Sequence, residues 1–554
     1  METIKDLGKY TFPALFANTM KKFADRPALA FASGEPISYG ELEKRVNQVS
    51  KLLVSMNVKK GDRIAIFSTS APNWGAAYLG IVNIGAIAVP LLPDFNPLEV
   101  ETILKHAEVS GIFVAEKMFS KIKNFDSTVL PFVISVKDFS FLQGTKPEKI
   151  VEDLPVVEVE EEDTASIIYT SGTTGRSKGV ELTHKNLVFT ALQSQTIQRI
   201  NKRDVCLSFL PLSHVYEFSL GFVLQILNGS CIYYLERPPT VSSLLPALKK
   251  VRPTIILSVP MVVEKIYKNK VLPTFTKTEF IKNLYEKRFW QKKLHWIAGK
   301  SLKKTFGGRV KFFGIGGAKV DPVVERFMKD GKFPYAIGYG LTETSPLLAG
   351  TNPKLTVPGS IGPYMSGIEL KILDPDPNTG IGEVVAKGAN IMKGYYKDPE
   401  MTASVFTTEN DSVGPGWFKT GDLGDLRNGM WLSLKGRLKN MILGSSGENI
   451  YPEDIEFVLN QHPLVLESLV VEDEDGLVAL VQLNEEKVKE EAIEKQKKGL
   501  FNTVEEAIAN IKEDLLYKNE ELLSEIQYFV NEKVKRFENL KKLLVRKLRD
   551  IYIT

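Results

Sequence analysis

Helical and strand-like hydrophobic periods alternate through the first half of this chain. From Ser38 to Met56, Tyr39, Leu42, Val46, Val49 and Leu53 recur at helical spacing. Asp62–Phe67 reads as a strand, Ala71–Ile81 as a helix and Ala86–Pro90 as a strand again. The alternation returns from Val205 to Leu257 and from Val310 to Ile337. Such β-α-β order predicts an α/β fold with mostly parallel sheets flanked by helices.

A chain of 554 residues exceeds one ordinary core, so two or more domains are expected. The net charge of +4 gives no basic face of the kind nucleic acid requires. Cys206 and Cys231, each among apolar neighbours, read as buried free thiols, which suits a reducing cytosol. The histidines 106, 184, 214, 295 and 462 are too scattered for a zinc site. Glu2 and Asp6 interrupt the N-terminus, so no secretory signal is expected there. The most apolar window, Gly75–Leu92, contains Asn83 and Pro90 and reads as a buried helix and core strand, not a membrane span.

After about Gly350 the texture changes. Short strands at Gly359–Gly362, Glu369–Leu373 and Gly382–Ala386, separated by Pro and Gly, predict a small antiparallel sheet or barrel. Glu485–Leu548 is rich in Lys and Glu, lacks proline, and reads as helical and solvent-facing, with an insertion.

The sharpest local signal is Ile167-Ile-Tyr-Thr-Ser-Gly-Thr-Thr-Gly-Arg-Ser-Lys-Gly-Val180. An apolar strand runs into a loop whose glycines let backbone N–H groups turn toward an anion. Thr170, Ser171, Thr173 and Thr174 add hydroxyl donors around Gly172 and Gly175, and Lys178 supplies a mobile positive charge. Thr183–Asn186 reads as the start of a helix. Arg176 and Ser177 before the lysine, and Gly179 after it, rule out the Walker loop.

This segment resembles the signature phosphate loop of adenylate-forming enzymes. Three further segments match in that family's order: Gly338-Tyr-Gly-Leu-Thr-Glu-Thr-Ser345, Trp417-Phe-Lys-Thr-Gly-Asp-Leu-Gly424, and Gly436-Arg-Leu-Lys-Asn-Met-Ile442 with Gly447-Glu-Asn-Ile-Tyr-Pro452. The resemblance implies an adenylate-forming domain over residues 1–436, with a β-rich part over about 350–436. A small mobile α+β domain over 437–554 would follow. The implied cofactors are ATP, Mg²⁺ and coenzyme A.

The resemblance also implies roles. Tyr339 would stack on adenine beside Gly340, and Thr342 would lie near the adenylate phosphate. Glu343 would hold Mg²⁺ with the Thr170 hydroxyl. Asp422 and Arg437 would take the ribose. Gly317 and Ala318, after Gly314-Ile-Gly, would lie where the adenine and acyl pockets part. His214, in Pro211-Leu-Ser-His-Val-Tyr216, would face the substrate carboxylate. Lys439 stands at the family's hinge, and Gly447 and Glu448 would enter the site for thioester formation.

The apolar run Phe218–Tyr234 and the aromatic, basic insertion Lys268–Lys304 resemble the long-chain fatty acid–CoA ligase branch. The expected partner is therefore a fatty acid. Aryl or acetyl activation stays open, as does a nucleotide- or acyl-binding homologue with impaired adenylation, and so does a homodimer. The stretch Asn531–Thr554 is basic, with Val534, Phe537, Leu540, Leu544 and Leu548 on one helical stripe. It reads either as a helix docked on the C-terminal domain or as a weak peripheral membrane contact on the cytoplasmic face. Related enzymes carry a Gly- and Thr-containing turn with a lysine near the end. This stretch has no glycine, so slow adenylation is expected, with Lys547 as a candidate substitute.

Overall fold

The computed structural model describes residues 2–126, 129–170, 177–443, 449–473, 476–484, 487–488, 520–534 and 538–545. The expected elements form, for visible local reasons. Helix Tyr39–Ser55 starts at a capping box: Ser38 Oγ accepts from the Glu41 N–H, and the Glu41 carboxylate accepts from the Ser38 N–H. Such a cap contributes about 1 kcal/mol. Its Tyr39, Leu42, Val46, Val49 and Leu53 form the buried face. Helix Pro72–Asn83 is almost wholly apolar and is buried from Trp74 to Val82. It is a core helix, and among the described residues no helix is long and apolar enough to cross a membrane.

Two eight-stranded sheets carry the larger part of the chain. One runs Gly394–Tyr395, Lys178–Thr183, Thr164–Thr170, Ile87–Leu91, Arg63–Phe67, Val109–Val114, Val133–Ser135, Phe141–Gln143. Its centre is parallel, and Lys178–Thr183 joins it antiparallel. The other runs Leu347–Gly350, Tyr335–Gly340, Phe312–Ile315, Ile255–Ser258, Val205–Ser208, Cys231–Tyr234, Pro27–Phe31, Ile37–Ser38. It too is parallel except at its two outer pairs. Parallel strands buried on both faces read as continuous apolar runs, as Ile64-Ala-Ile-Phe67 does. Cys206 and Cys231 are buried free thiols in this second sheet. A smaller five-stranded sheet takes strands from Gly362–Pro363, Ile368–Leu373, Gly382–Gly388, Phe418–Arg427 and Trp431–Arg437.

The chain divides into two compact units. The first comprises Met1–Leu373, Val385–Thr420 and Leu426–Ser433; the second comprises Asp374–Val384, Gly421–Asp425 and Leu434–Thr554. The second has its own core, in which Ile455 and Leu459 of helix Pro452–Leu459 meet Ala479, Val481, Ile526 and Val530.

The run Phe218–Tyr234 is core: Phe218 packs on Tyr78, Trp74 and Phe12 as well as Phe222. One expectation changes: the helical stripe in the tail fails over its described end. Lys542–Val545 is a strand paired parallel with Gly476–Leu483, with Leu543 and Val545 buried. Leu543 and Val545 fit a period of two, and the open edge of the C-terminal sheet decides the matter over a helical propensity. Lys547 lies outside the described residues, as does most of the predicted helical segment 485–519.

Candidate active site

Thr170 and Lys178 face one another across a hairpin, in register as cross-strand partners. They are the two ends of the phosphate-loop segment. Ser171, Gly172, Thr173, Thr174 and Gly175 lie outside the described residues. Lys178 belongs to the strand, so its aim is set by the sheet. Thr170 Oγ1 is buried and has no hydrogen-bond partner among the described residues.

Lys178 Nζ lies 2.9 Å from Glu343 Oε1 and 2.8 Å from the Tyr395 hydroxyl oxygen. That hydroxyl in turn donates to Glu343 Oε1 at 2.8 Å. The three groups close a ring of hydrogen bonds. Lys178 also sits 4.4 Å from the centroid of the Tyr395 ring. Burial first, and the Glu343 charge second, push the Tyr395 phenol well above its ordinary pKa, so it stays a neutral donor. Tyr395 was not foreseen from the sequence. Gly394–Tyr395 extends the sheet antiparallel to Lys178–Thr183, and Thr402 Oγ1 accepts from the Tyr395 N–H.

Glu343 occupies a single 3₁₀ turn, Thr342–Thr344, between strands Tyr335–Gly340 and Leu347–Gly350. The turn is tied on several sides. Thr344 Oγ1 accepts from the Leu341 N–H and donates to the Pro346 carbonyl. Asn390 Nδ2 donates to the carbonyls of Thr344 and Leu347, and the Met392 N–H donates to that of Glu343. Gly340 is required here, because a Cβ would overlap the Pro346 carbonyl oxygen. Tyr339 precedes it and is largely buried. Gly317 and Ala318 follow the neighbouring parallel strand Phe312–Ile315 and are exposed, at the carboxyl ends where open α/β sheets bind ligands.

His214 precedes the π-helical turn Glu217–Val223 and keeps an exposed face, while surrounding protein lowers its pKa by desolvation. Those two properties together describe a side chain in the wall of a cleft. Its Nδ1 accepts from the Tyr216 N–H at 3.2 Å. The Tyr216 ring lies against Gly316, where a Cβ would meet it at 3.2 Å. The close approach at Gly316 is thus made by a tyrosine of this chain, and that at Gly314 by Phe312 and Leu257 before Tyr216.

Asp422 and Arg437, 15 positions apart in sequence, pair in the second unit, with Arg437 Nε 3.0 Å from Asp422 Oδ1. Lys439 lies in the exposed 3₁₀ turn Leu438–Asn440. Glu453 was also missed: its Oε1 accepts from the Asn440 side chain at 2.8 Å and from the Arg437 N–H. Gly447 and Glu448 lie outside the described residues.

Among the described residues no cluster of three or more His, Cys, Asp or Glu could hold a metal. One carboxylate, Glu343, and one unpartnered hydroxyl, Thr170, suit a hard ion that keeps its waters and is held chiefly through substrate phosphates. These residues fit Mg²⁺.

The sequence matches the AMP-binding enzyme family over residues 16–396. The chain belongs to that family. Fatty acyl-CoA synthetase A of Dictyostelium discoideum is 29% identical over 483 residues, covering 79% of this chain and 70% of the relative. The peroxisomal long chain acyl-CoA synthetase 7 of Arabidopsis thaliana is 29% identical over 495 residues, covering 82% and 69%. The fold is similar to that of ATP-bound MatB from Rhodopseudomonas palustris, with a TM-score of 0.73 and 24% identity over 97% of this chain and 95% of that one. As an AMP-forming ligase of this family the enzyme uses ATP with Mg²⁺ and coenzyme A.

Proposed function

We propose that this AMP-binding enzyme activates a long-chain fatty acid to its acyl-adenylate and passes the acyl group to coenzyme A. The observation that carries the chemistry is the ring of Lys178, Glu343 and Tyr395, beside the pinned ends of the phosphate loop. In the free enzyme Lys178 and Glu343 neutralise each other. Binding of the nucleotide redirects both: Lys178 turns to phosphate oxygens, and Glu343 with Thr170 holds the ion. Mg²⁺ held by Glu343 and Thr170 would supply charge neutralisation on the phosphates; the substrate carboxylate attacks the α-phosphorus and pyrophosphate leaves, and the thiol of coenzyme A then displaces AMP. Tyr395 keeps a hydrogen bond to whichever charge remains. Tyr339, Gly340, Gly317 and Ala318 frame the adenine, Thr342 lies near the adenylate phosphate, and His214 orients the substrate carboxylate. Asp422 and Arg437 take the ribose. Gly447, Glu448 and Lys439 are assigned to the thioester step.

The acid is assigned from the relatives, which are named for fatty acids or long chains. A panel of carboxylic acids in ATP–pyrophosphate exchange tests the assignment. Long fatty acids should give the fastest exchange; faster exchange with aryl acids or acetate, or none with any acid, would overturn it.

A further inference from the structure

Helices Glu279–Glu286 and Arg288–Thr305 form a hairpin within the first unit. The longer helix is fixed by one face. His295, Gly299 and Leu302 are buried, and Gly299 packs directly on the Gly331 backbone. Arg288 pairs with Asp330 at 2.8 Å, and His295 Nδ1 is 3.1 Å from the same carboxylate. The opposite face has no partner among the described residues and is of unusual composition. Phe289 is 64% exposed, Ile297 59%, and Trp290 and Trp296 41% each, while Phe280 on the shorter helix is 72% exposed.

Lysines interleave with these apolar groups at helical spacing. Phe289, Lys293, Trp296 and Lys300 form one stripe, and Trp290, Ile297 and Lys304 the next. Lys293 Nζ lies 4.6 Å from the Phe289 ring centroid and 4.9 Å from that of Trp290, and Lys300 lies 3.5 Å from that of Trp296. Between Lys277 and Lys304 stand nine Lys/Arg against two Asp/Glu, Glu279 and Glu286.

A face that is both apolar and strongly cationic matches one kind of surface. Indole and phenyl rings settle at the level of lipid headgroups, while lysine stems lie along the apolar zone with their ammonium groups at the phosphates. A soluble protein partner would ordinarily meet an apolar core depleted of lysine. We propose that this hairpin face docks the enzyme on an anionic phospholipid bilayer, with Phe280, Phe289, Trp290, Trp296 and Ile297 entering the headgroup region. The rigid docking of the other face through Gly299 and Arg288 presents the surface without local refolding. Nothing in this inference depends on the acid activated, although a bilayer is where a long-chain acid would partition.

Flotation with vesicles of phosphatidylglycerol and phosphatidylcholine, against vesicles of phosphatidylcholine alone, tests it on the full-length enzyme. Wild type should float with the anionic vesicles at low salt, release at high salt, and show a blue shift of tryptophan emission on binding. A Lys293→Glu/Lys300→Glu variant should bind the anionic vesicles on the order of 100-fold more weakly, given the contribution of each basic residue near such a surface. A Trp290→Ala/Trp296→Ala variant should float poorly and lose the blue shift. Pyrophosphate exchange without vesicles should be unchanged in both variants, which separates lost docking from lost folding and from failure of the assigned activity. Absence of wild-type flotation, or equal flotation of the folded variants, would overturn the proposal. So would a wild-type dimer in sedimentation that these substitutions dissolve, since the face would then be a self-association surface.

Discussion

Lys178 and Glu343, 165 positions apart in the chain, meet at 2.9 Å with the Tyr395 hydroxyl bonded to both. Their pairing leaves no uncompensated charge in the free enzyme. It also sets what removal of each group should do.

Glu343→Gln keeps the shape and removes the charge that would face the metal. Exchange should fall by ~10²–10³, the scale for loss of one well-placed electrostatic contact. The Mg²⁺ concentration giving half-maximal exchange should rise. Wild-type exchange at low Mg²⁺ would show that Glu343 does not bear on the ion.

Tyr395→Phe removes one hydroxyl and keeps the ring beneath Lys178. One neutral-to-charged hydrogen bond is worth about 1.5–3 kcal/mol. The Lys178–Glu343 pair survives, so exchange should drop by only roughly tenfold. Lys178→Met should cost more, because it leaves Glu343 buried without its cation. Comparing exchange rates and ATP KM for the two variants checks the order; the reverse order would place Tyr395, not Lys178, at the reacting phosphates.

Glu453 receives Asn440 and the Arg437 N–H at the turn that carries Lys439. Glu453→Ala frees that turn while sparing the Lys178 ring. The expected outcome is exchange within about threefold of wild type and slower acyl-CoA formation, since conformational steps commonly set turnover in such enzymes. Equal loss in both assays would assign Glu453 a purely structural role.

The parallel framework was legible because a strand buried on both faces leaves a continuous apolar run and an amphipathic helix leaves a 3.6-residue period. Of the candidate site, Thr170, Lys178 and Glu343 were named from local sequence, and the structure brings Lys178 and Glu343 together. Tyr395 was not, because only the pairing of Gly394–Tyr395 with Lys178–Thr183 brings it to Glu343, and no local period records that. The helical stripe through Leu540 and Leu544 failed because several apolar residues in a row offer a helical and a two-residue period at once; pairing with Gly476–Leu483 selects the strand, which buries Leu543 and Val545. Phe289, Trp290 and Trp296 belong to the insertion that resembles the long-chain branch, and the structure puts them at the surface.

Glu217 is fully buried, and neither carboxyl oxygen finds a hydrogen bond among the described residues. Burial pushes its pKa from 4.5 up to about 8. The folded protein therefore keeps this proton at pH 7, whereas the unfolded chain releases it above about pH 4.5. Between those values the folded state binds more protons than the unfolded one. Stability from this group is full below pH 4.5 and declines as pH rises toward 8, at up to about 1.4 kcal/mol per pH unit. Glu217→Gln removes the titration and keeps the volume beside Gly221, whose Cα approaches this carboxyl closely. The variant should therefore gain relative to wild type as pH rises, with a difference in unfolding free energy that grows by a few kcal/mol, to order of magnitude, between pH 5 and 8. Denaturant melts at those two pH values check it. A difference that stays constant with pH would mean that Glu217 is already ionised in the folded protein, held by a partner that the described contacts do not include.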